Sequence, residues 1–322
     1  MSDVVQQAQS LLARGDVRAA AQLLKQAEER GDGLAARELA LWCLTGQKIR
    51  RDLAASRTLF DRAAALGDSY SAAVTRAFVA GGVGGSADWP RAVALLRDAA
   101  ASADAEAAKQ LQLINEMDLD AAGGPLGDYK REHLSEAPEV TLFPSLFTRT
   151  ECDYLIHAAK PLLQPSIVID SRTGEHVPNP VRTSSGASFP FVDENPAIHA
   201  LNRRLAAASG TDVRSGEPMW VLRYAPGEQY RQHSDALPGV LPDQQRVLTF
   251  LVYLNEDYEG GETVFPTTGL KVRGRTGDGL LFRNASRDGV ADPKSVHAGL
   301  PVTRGAKHLA SRWIRAAPLV LE

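Results

Sequence analysis

The chain has 322 residues, of which 44% are hydrophobic and 23% charged, and this length is enough for two domains that each bury a core. Its 36 basic and 39 acidic residues give a formal net charge of -3 without a strongly basic segment, so we expect no nucleic-acid partner. Two cysteines, Cys43 and Cys152, are too few for a disulfide framework or a cysteine zinc site.

The N-terminus lacks both the cationic start and the apolar core of a signal peptide. The longest apolar run, residues 247–254, is far shorter than a membrane-spanning helix requires. We therefore expect a soluble, cytoplasmic protein that has no membrane partner.

An internal repeat occupies the first third of the chain. Aspartates recur every 36 residues in two series: Asp16, Asp52 and Asp88, and Asp32, Asp68 and Asp104. An aspartate can cap the start of a helix by accepting hydrogen bonds from free backbone N–H groups. Glycines follow where a left-handed residue would end a helix, at Gly31, Gly46, Gly67 and Gly82. A period of this length predicts six helices in stacked pairs, from about Val17 to Met117.

With this period, a GD-x-x-A signature and alanine-rich helix ends, residues 1–118 resemble the Sel1-like branch of the tetratricopeptide superfamily. The resemblance implies an all-α helical repeat domain whose concave surface suits a peptide. A plain helical bundle is the alternative, and the repeat in register at several positions disfavours it.

The pattern changes after the repeats. Residues 119–140 are polar and interrupted by glycine and proline, which predicts a linker. In the remainder, residues 141–322, we predict helices at Thr150–Leu163 and Asn195–Ser209. Strands are predicted at Met219–Tyr224, Val247–Leu254, Gly279–Arg283, Val296–Ala298 and Lys307–Ile314. Short strands after helices indicate an α+β domain with a double-stranded β-helix, or jelly-roll, core.

One triplet in the strand-rich region has metal-ligand spacing. His233 and Asp235 are two residues apart, so in an extended chain both side chains project to one face and can bind one ion. A second histidine, His297, lies on a later predicted strand. Two imidazoles and one carboxylate, with coordination positions left open, suit non-haem Fe(II).

A lysine ten residues after His297 adds to this pattern. Strand alternation places Lys307, Leu309, Ser311 and Trp313 on one face. An ammonium group on the inner face of a barrel is costly unless an anion contacts it. A dianionic cosubstrate would be such an anion.

The region from about Phe143 to Arg315 resembles the Fe(II)/2-oxoglutarate-dependent dioxygenases of the prolyl 4-hydroxylase alpha-subunit family. The motifs that carry the resemblance follow in order: ECDYLI, RTSSG, LRYAPGEQYRQHSD, RVLTFLVYLN, GGETVFP, KSVHAG and GAKHLASRWIR.

The resemblance implies roles for ten residues. The catalytic iron ligands would be His233, Asp235 and His297. The residues that bind 2-oxoglutarate would be Lys307, Thr263 and Tyr224. The residues that line the peptide groove would be Tyr230, Arg246, Trp313 and, on a mobile loop, Arg182. Three of these positions have simpler alternatives: Tyr224 and Trp313 as core residues and Arg246 as a surface cation.

The implied activity is that of a 2-oxoglutarate-dependent dioxygenase similar to procollagen-proline 4-dioxygenase. It would use Fe(II), 2-oxoglutarate, O2 and L-ascorbate to hydroxylate a prolyl residue in a protein or peptide, with release of succinate and CO2. Two alternatives stay open: a hydroxylase of a free amino acid or other small molecule, and a metal-free helical-repeat scaffold. A nucleic-acid demethylase is disfavoured because it needs a basic groove.

Overall fold

The computed structural model describes residues 3–169, 176–179 and 181–320. These residues form two compact units. The first contains the residues up to Pro125 together with Phe191–Leu201, and the second contains Leu126–Pro190 and Asn202–Leu319. Among the described residues, no helix is both long and apolar enough to cross a bilayer.

Helices build the first unit. In the described part of this unit, seven helices precede residue 125: α1 Asp3–Ala13, α2 Val17–Glu29, α3 Gly33–Thr45, α4 Leu53–Ala65, α5 Ser69–Gly81, α6 Trp89–Ala101 and α7 Ala105–Glu116. Helices α2 to α7 confirm the six predicted from the repeat. Helix α1 lies before the repeat begins and was not predicted.

The six repeat helices begin as the aspartate spacing predicts. The Asp32 carboxylate accepts hydrogen bonds from the N–H groups of Leu34 and Ala35 at 2.9 and 3.0 Å. Side chains cap the other five helices in the same way, at Asp16, Asp52, Asp68, Asp88 and Asp104. Helices α3 and α5 end at Gly46 and Gly82, whose φ values of 67° and 74° are left-handed.

A chain segment from outside the repeats completes the core of the first unit. Phe191 and Val192 pack against a buried cluster that contains Phe60, Val74 and Phe78. The Phe78 and Phe191 rings lie 5.9 Å apart. The repeat helices therefore share their core with residues 191–201, which the chain reaches much later.

Two helices and sixteen strands complete the described elements. The helices are α8 Arg149–Ala159 and α9 Pro196–Ser209. The strands are β1 Glu132–Glu136, β2 Glu139–Phe143, β3 Gln164–Pro165, β4 Ile167–Ile169, β5 His176–Pro178, β6 Ser185–Phe189, β7 Met219–Tyr224, β8 Tyr230–His233, β9 Arg246–Tyr253, β10 Glu259–Gly260, β11 Thr263–Phe265, β12 Leu270–Val272, β13 Gly279–Arg283, β14 His297–Gly299, β15 Val302–Arg304 and β16 Lys307–Arg315.

The second unit is a jelly-roll. Its larger sheet has the strand order β1-β2-β13-β9-β16-β7-β6-β3, and its smaller sheet has the order β12-β11-β14-β8. Side chains of both sheets form one buried cluster, which includes Tyr253 and Phe282 of the larger sheet and Phe265 and Val272 of the smaller one. The two sheets therefore face each other across a shared core.

The predicted helices and strands agree with the structure to within one residue at each end, with two exceptions. Strand β1 and the start of β2 lie within residues 119–140, so part of the predicted linker belongs to the larger sheet. The predicted helix Thr150–Leu163 is α-helical only to Ala159 and continues as a short 3-10 turn, Lys160–Leu162. The Glu151 carboxylate, buried on α8, accepts two hydrogen bonds from Arg204 at 2.6 and 2.7 Å.

Removal of the repeats should expose Phe191 and Val192. We expect a chain that lacks residues 1–118 to be poorly soluble, and the double substitution Phe191→Gln/Val192→Gln to increase its soluble yield. In the full chain, the same pair should lower the Tm by several degrees, since it removes apolar packing worth about 2–3 kcal/mol. Soluble yield and thermal unfolding measure the two effects. The packing would be contradicted if the double substitution improved both chains or impaired both.

Candidate active site

Strand pairing brings the two predicted histidines together. Strands β8 and β14 are antiparallel neighbours, and in their register His297 lies opposite His233. Asp235 follows β8 by two residues. Its Oδ1 lies 3.5 Å from Nε2 of His233, and its Oδ2 lies 3.6 Å from Nε2 of His297. One ligand atom from each of the three residues lies within 4.8 Å of the others, which is close enough for one ion to contact all three.

The backbone fixes which nitrogen of each histidine can bind a metal. Nδ1 of His233 lies 2.8 Å from the carbonyl oxygen of Arg231, and Nδ1 of His297 lies 3.0 Å from that of Ser295. A carbonyl oxygen can only accept, so each Nδ1 carries the proton and donates it. In the neutral ring, Nε2 then keeps its lone pair on the side that faces Asp235. This donor set fits a divalent metal ion without rearrangement.

Electrostatics favour the metal-binding forms of Asp235 and His297. Burial alone would raise the pKa of Asp235, but His297, His233 and the Thr249 hydroxyl outweigh it and hold that pKa well below its usual range. Burial is the main cause that lowers the pKa of His297, against the attraction of Asp235. At neutral pH the aspartate is therefore ionised and His297 is neutral.

The three residues open into a pocket between the sheets. It is lined by Leu222, Tyr224, Tyr230, His233, Asp235, Leu251, Thr263, His297, Gly299, Lys307, Leu309, Ser311 and Trp313. The alternation predicted for the last strand is confirmed, because all four residues of the predicted inner face are among them. Eight of the ten predicted site residues line this pocket.

Lys307 is the buried cation of this pocket. Its side chain is 3% exposed, and its Nζ donates a hydrogen bond to the carbonyl oxygen of Gly261 at 2.7 Å. Nζ also lies 5.7 and 5.5 Å from the ring centres of Tyr224 and Tyr253. Burial lowers the pKa of Lys307 from 10.5 to about 8, although Glu262 opposes the shift. The folded protein therefore holds an ammonium group that lacks most of its solvation.

Two hydroxyl groups share the pocket wall with Lys307. The Tyr253 hydroxyl donates a hydrogen bond to Oγ1 of Thr263 at 3.0 Å, so the proton of Thr263 is free to point elsewhere. Burial raises the pKa of Tyr224 far above its ordinary value, so its hydroxyl stays protonated. Thr263 and Tyr224 can therefore both donate to an anion in the pocket.

The predicted substrate residues occupy different positions. The Tyr230 ring stacks on His233 with 3.5 Å between ring centres, and Trp313 lines the pocket. Arg182 lies outside the lining, where its guanidinium is 5.6 Å from the Tyr230 ring and 5.7 Å from the Trp220 ring. Arg182 and Tyr230 thus form a cationic and aromatic surface next to His233. Trp313 lines the pocket from the larger sheet.

Arg246 contacts the pocket through Trp313. Its guanidinium lies 4.0 Å from the Trp313 ring centre and makes two hydrogen bonds of 2.7 Å to Glu217. Arg315 binds the same carboxylate. Arg246 is therefore neither a free surface cation nor part of the lining, but one member of a paired cluster behind the pocket wall.

Sequence reasoning missed three polar residues at the site. Glu217 holds Arg246, and Thr249 and Asn284 form a hydrogen-bond chain to Asp235. For Thr249 a sign was present, since it is the one polar residue between Val247 and Leu254. Glu217 and Asn284 lie in segments without a pattern that distinguishes them.

Comparison with known proteins agrees with this geometry. The profile of the 2OG-Fe(II) oxygenase superfamily matches residues 219–315. Prolyl 4-hydroxylase 1 of Arabidopsis thaliana is 37% identical in an alignment that covers 62% of this chain and 76% of the plant protein. The matched superfamily region contains His233, Asp235, His297 and Lys307.

Two solved structures are similar to different parts of the chain. A viral collagen prolyl hydroxylase from Paramecium bursaria Chlorella virus 1, crystallised as a 2OG complex, is 29% identical with a TM-score of 0.45, over 55% of this chain and 96% of the viral chain. A Sel1 repeat protein from Oxalobacter formigenes is 24% identical with a TM-score of 0.31, over 34% of this chain and 88% of its own.

The buried ammonium group should destabilise the protein in a pH-dependent way. Because the folded-state pKa of Lys307 lies below its unfolded value, the folded protein binds fewer protons between about pH 8 and pH 10.5, and its stability rises with pH there. At pH 7 the Lys307→Met variant should be more stable than the parent by up to about 3 kcal/mol. This difference should shrink by roughly 1 kcal/mol at pH 9.

Urea unfolding of both proteins at the two pH values, without 2-oxoglutarate, measures the difference, and the subtraction removes the contribution of all other titrating groups. A variant less stable than the parent at pH 7, or a difference that grows with pH, would contradict the assigned burial of Lys307.

Proposed function

Because this chain belongs to the prolyl 4-hydroxylase family of 2OG-Fe(II) oxygenases, we propose that it hydroxylates a prolyl residue of a protein or peptide at C4. The reaction consumes O2 and 2-oxoglutarate. One oxygen atom enters the prolyl C–H bond as a hydroxyl group, and the other enters succinate as CO2 is released. The observation that carries the proposal is the convergence of His233, Asp235 and His297 on one pocket that also holds the Lys307 ammonium group.

The three ligands are suited to Fe(II). They supply two imidazole nitrogens and one carboxylate, and they leave coordination positions open. When bound, Fe(II) supplies O2 activation coupled to the oxidative decarboxylation of 2-oxoglutarate. The protein orients both rings, since the carbonyl groups of Arg231 and Ser295 accept from Nδ1 and leave Nε2 as the nitrogen that faces the metal site.

Lys307 binds the distal carboxylate of 2-oxoglutarate in this proposal. One of its three N–H groups is taken by the carbonyl oxygen of Gly261, and the others can donate to an anion. Thr263 and Tyr224 add hydroxyl donors in the same wall. An ion pair with the cosubstrate would offset the desolvation of the ammonium group, which makes the site selective for a dianion of matching length.

The substrate lies, in this proposal, between Trp313 in the pocket wall and the surface formed by Tyr230 and Arg182. A prolyl ring is apolar and packs on aromatic faces, while guanidinium groups donate to peptide carbonyls. Such a surface favours an extended polypeptide over a free amino acid. The substrate role of Arg246, the use of L-ascorbate, the binding of a polypeptide by the helical repeats and the cytoplasmic location stay predictions.

A turnover assay tests the proposal. Purified protein with Fe(II), 2-oxoglutarate and ascorbate should convert proline-rich peptides into products heavier by one oxygen atom, with one succinate formed for each. The His297→Ala variant should lose this turnover by roughly two orders of magnitude or more because it lacks a metal ligand. The matched control is His157→Ala, at an exposed histidine of α8, which should keep it.

Two results would overturn the proposal. Oxidation of free proline without oxidation of peptides would indicate a small-molecule hydroxylase. Absence of both iron binding and succinate formation would indicate a scaffold that has no catalytic role.

Two variants should separate the two substrates kinetically. Lys307→Met should raise the KM for 2-oxoglutarate by about 100-fold or more, since it removes a buried ion pair, and leave the peptide KM nearly unchanged. Arg182→Ala should raise the peptide KM and leave the KM for 2-oxoglutarate nearly unchanged. It should also keep the slow succinate formation that occurs without peptide. Steady-state kinetics with each substrate varied in turn provides the four constants, and an equal effect of either variant on both constants would contradict the assignment.

A further inference from the structure

Two buried polar side chains lie behind the metal ligands and take no part in the proposed reaction. Thr249 is 1% exposed in the middle of β9, and Asn284 is fully buried just after β13. The other residues from Val247 to Tyr253 are apolar. Burial of a hydroxyl and an amide in such surroundings is costly unless their hydrogen bonds compensate for it. The hydrogen-bond partners of these two side chains therefore indicate their role.

The direction of these hydrogen bonds follows from the donor inventory. The Asn284 side chain donates through Nδ2 to Oγ1 of Thr249 at 2.7 Å. Thr249 donates through Oγ1 to Oδ2 of Asp235, also at 2.7 Å. A hydroxyl group has a single proton, and because Oγ1 accepts from the amide, that proton is directed at the carboxylate.

Asn284 is also connected to the second half of the site. Its backbone carbonyl oxygen accepts a hydrogen bond from the Asp292 N–H group at 2.8 Å, and the Ser295 hydroxyl donates its single proton to the Asp292 carbonyl oxygen at 2.7 Å. The carbonyl oxygen of Ser295 in turn holds Nδ1 of His297. The Asn284 side chain is thus connected through Thr249 to Asp235, and its backbone carbonyl is connected through Asp292 and Ser295 to His297.

A carboxylate ligand needs such support because its own torsion does not fix it. The χ2 angle of aspartate is broad, so rotamer preference leaves the plane of the carboxylate free. A short hydrogen bond to Oδ2 fixes that plane. We propose that Thr249 and Asn284 are positioning residues that orient Asp235 and thereby set the affinity of the site for its metal. This inference rests on the proposed function only in taking His233, Asp235 and His297 as a metal site.

Mn(II) binding to the metal-free full-length protein tests the inference without turnover. Titration calorimetry should show the Mn(II) Kd raised about tenfold or more in Thr249→Val, which keeps the shape of the side chain but removes the donor. Thr249→Ser restores the hydroxyl and should return to within about threefold of the parent. Asn284→Leu should raise the Kd by at least about threefold, since the Thr249 proton is then no longer directed.

The matched control is Thr75→Val, the same substitution at a buried threonine of α5, and it should leave the Mn(II) Kd unchanged. Circular dichroism of each metal-free variant verifies the fold. If Thr249→Val does not fold, Asn284→Leu decides. A parent-like Kd in either folded variant, or a Thr249→Ser variant as weak as Thr249→Val, would overturn the inference. Parent-like binding by His233→Ala would instead overturn the metal site and with it the proposed function.

Discussion

The register between β8 and β14 is the constraint on which the site depends. In this pair His297 lies opposite His233, so the two imidazoles come from different strands yet lie side by side. A slip of one residue would turn one of the two side chains to the opposite face of the sheet. Asp235 leaves the end of β8 on the side where its carboxylate meets both rings. Backbone pairing thus brings the three residues together, and the side chains behind Asp235 then orient its carboxylate.

The larger sheet contributes the other half of the pocket. Strand β16 lies between β9 and β7 in this sheet, and its alternation aims Lys307 and Trp313 at the pocket. The metal ligands therefore come from the smaller sheet or from its end, while the candidate anchor for the cosubstrate comes from the larger one. A fold with two facing sheets can hold both halves rigidly, since each is part of a continuous hydrogen-bonded ladder.

The sequence was most informative where one residue type determines local structure. Repeating aspartates predicted helix starts because a carboxylate caps a helix through its own neighbours. Runs of strand-forming residues between turns predicted β7 and β13 to the residue. The spacing of His233 and Asp235 likewise predicted a shared face. Strand β1 was missed because glycine and proline around it indicate a linker, and its pairing with β2 gives no local sign.

Features that arise from tertiary contacts could not be predicted in this way. The pattern of residues 191–201 shows where a helix begins but not which core it joins, and these residues belong to the first unit. Thr249, Asn284 and Glu217 act through partners at least 14 residues away in the chain, so composition and periodicity do not reveal them. Arg246 shows the same effect. Its resemblance to a substrate residue identified the position but not the carboxylate that holds it.

The buried charges of the second unit differ in how completely the protein satisfies them. Glu151 is paired with Arg204, and Glu217 is paired with two arginines. These groups have charged partners within the chain, and removal of one partner would leave the other charge buried and uncompensated. Lys307 instead has a backbone carbonyl and two aromatic rings, and its lowered pKa records the incomplete solvation. A buried cation without a charged partner lowers the free energy of unfolding, and an anion that binds in the pocket would offset this cost. The imbalance that makes Lys307 unfavourable for folding also supports its proposed role in binding. Because the ammonium group is already desolvated in the folded protein, a dianion would gain the ion pair without a further desolvation cost for the cation.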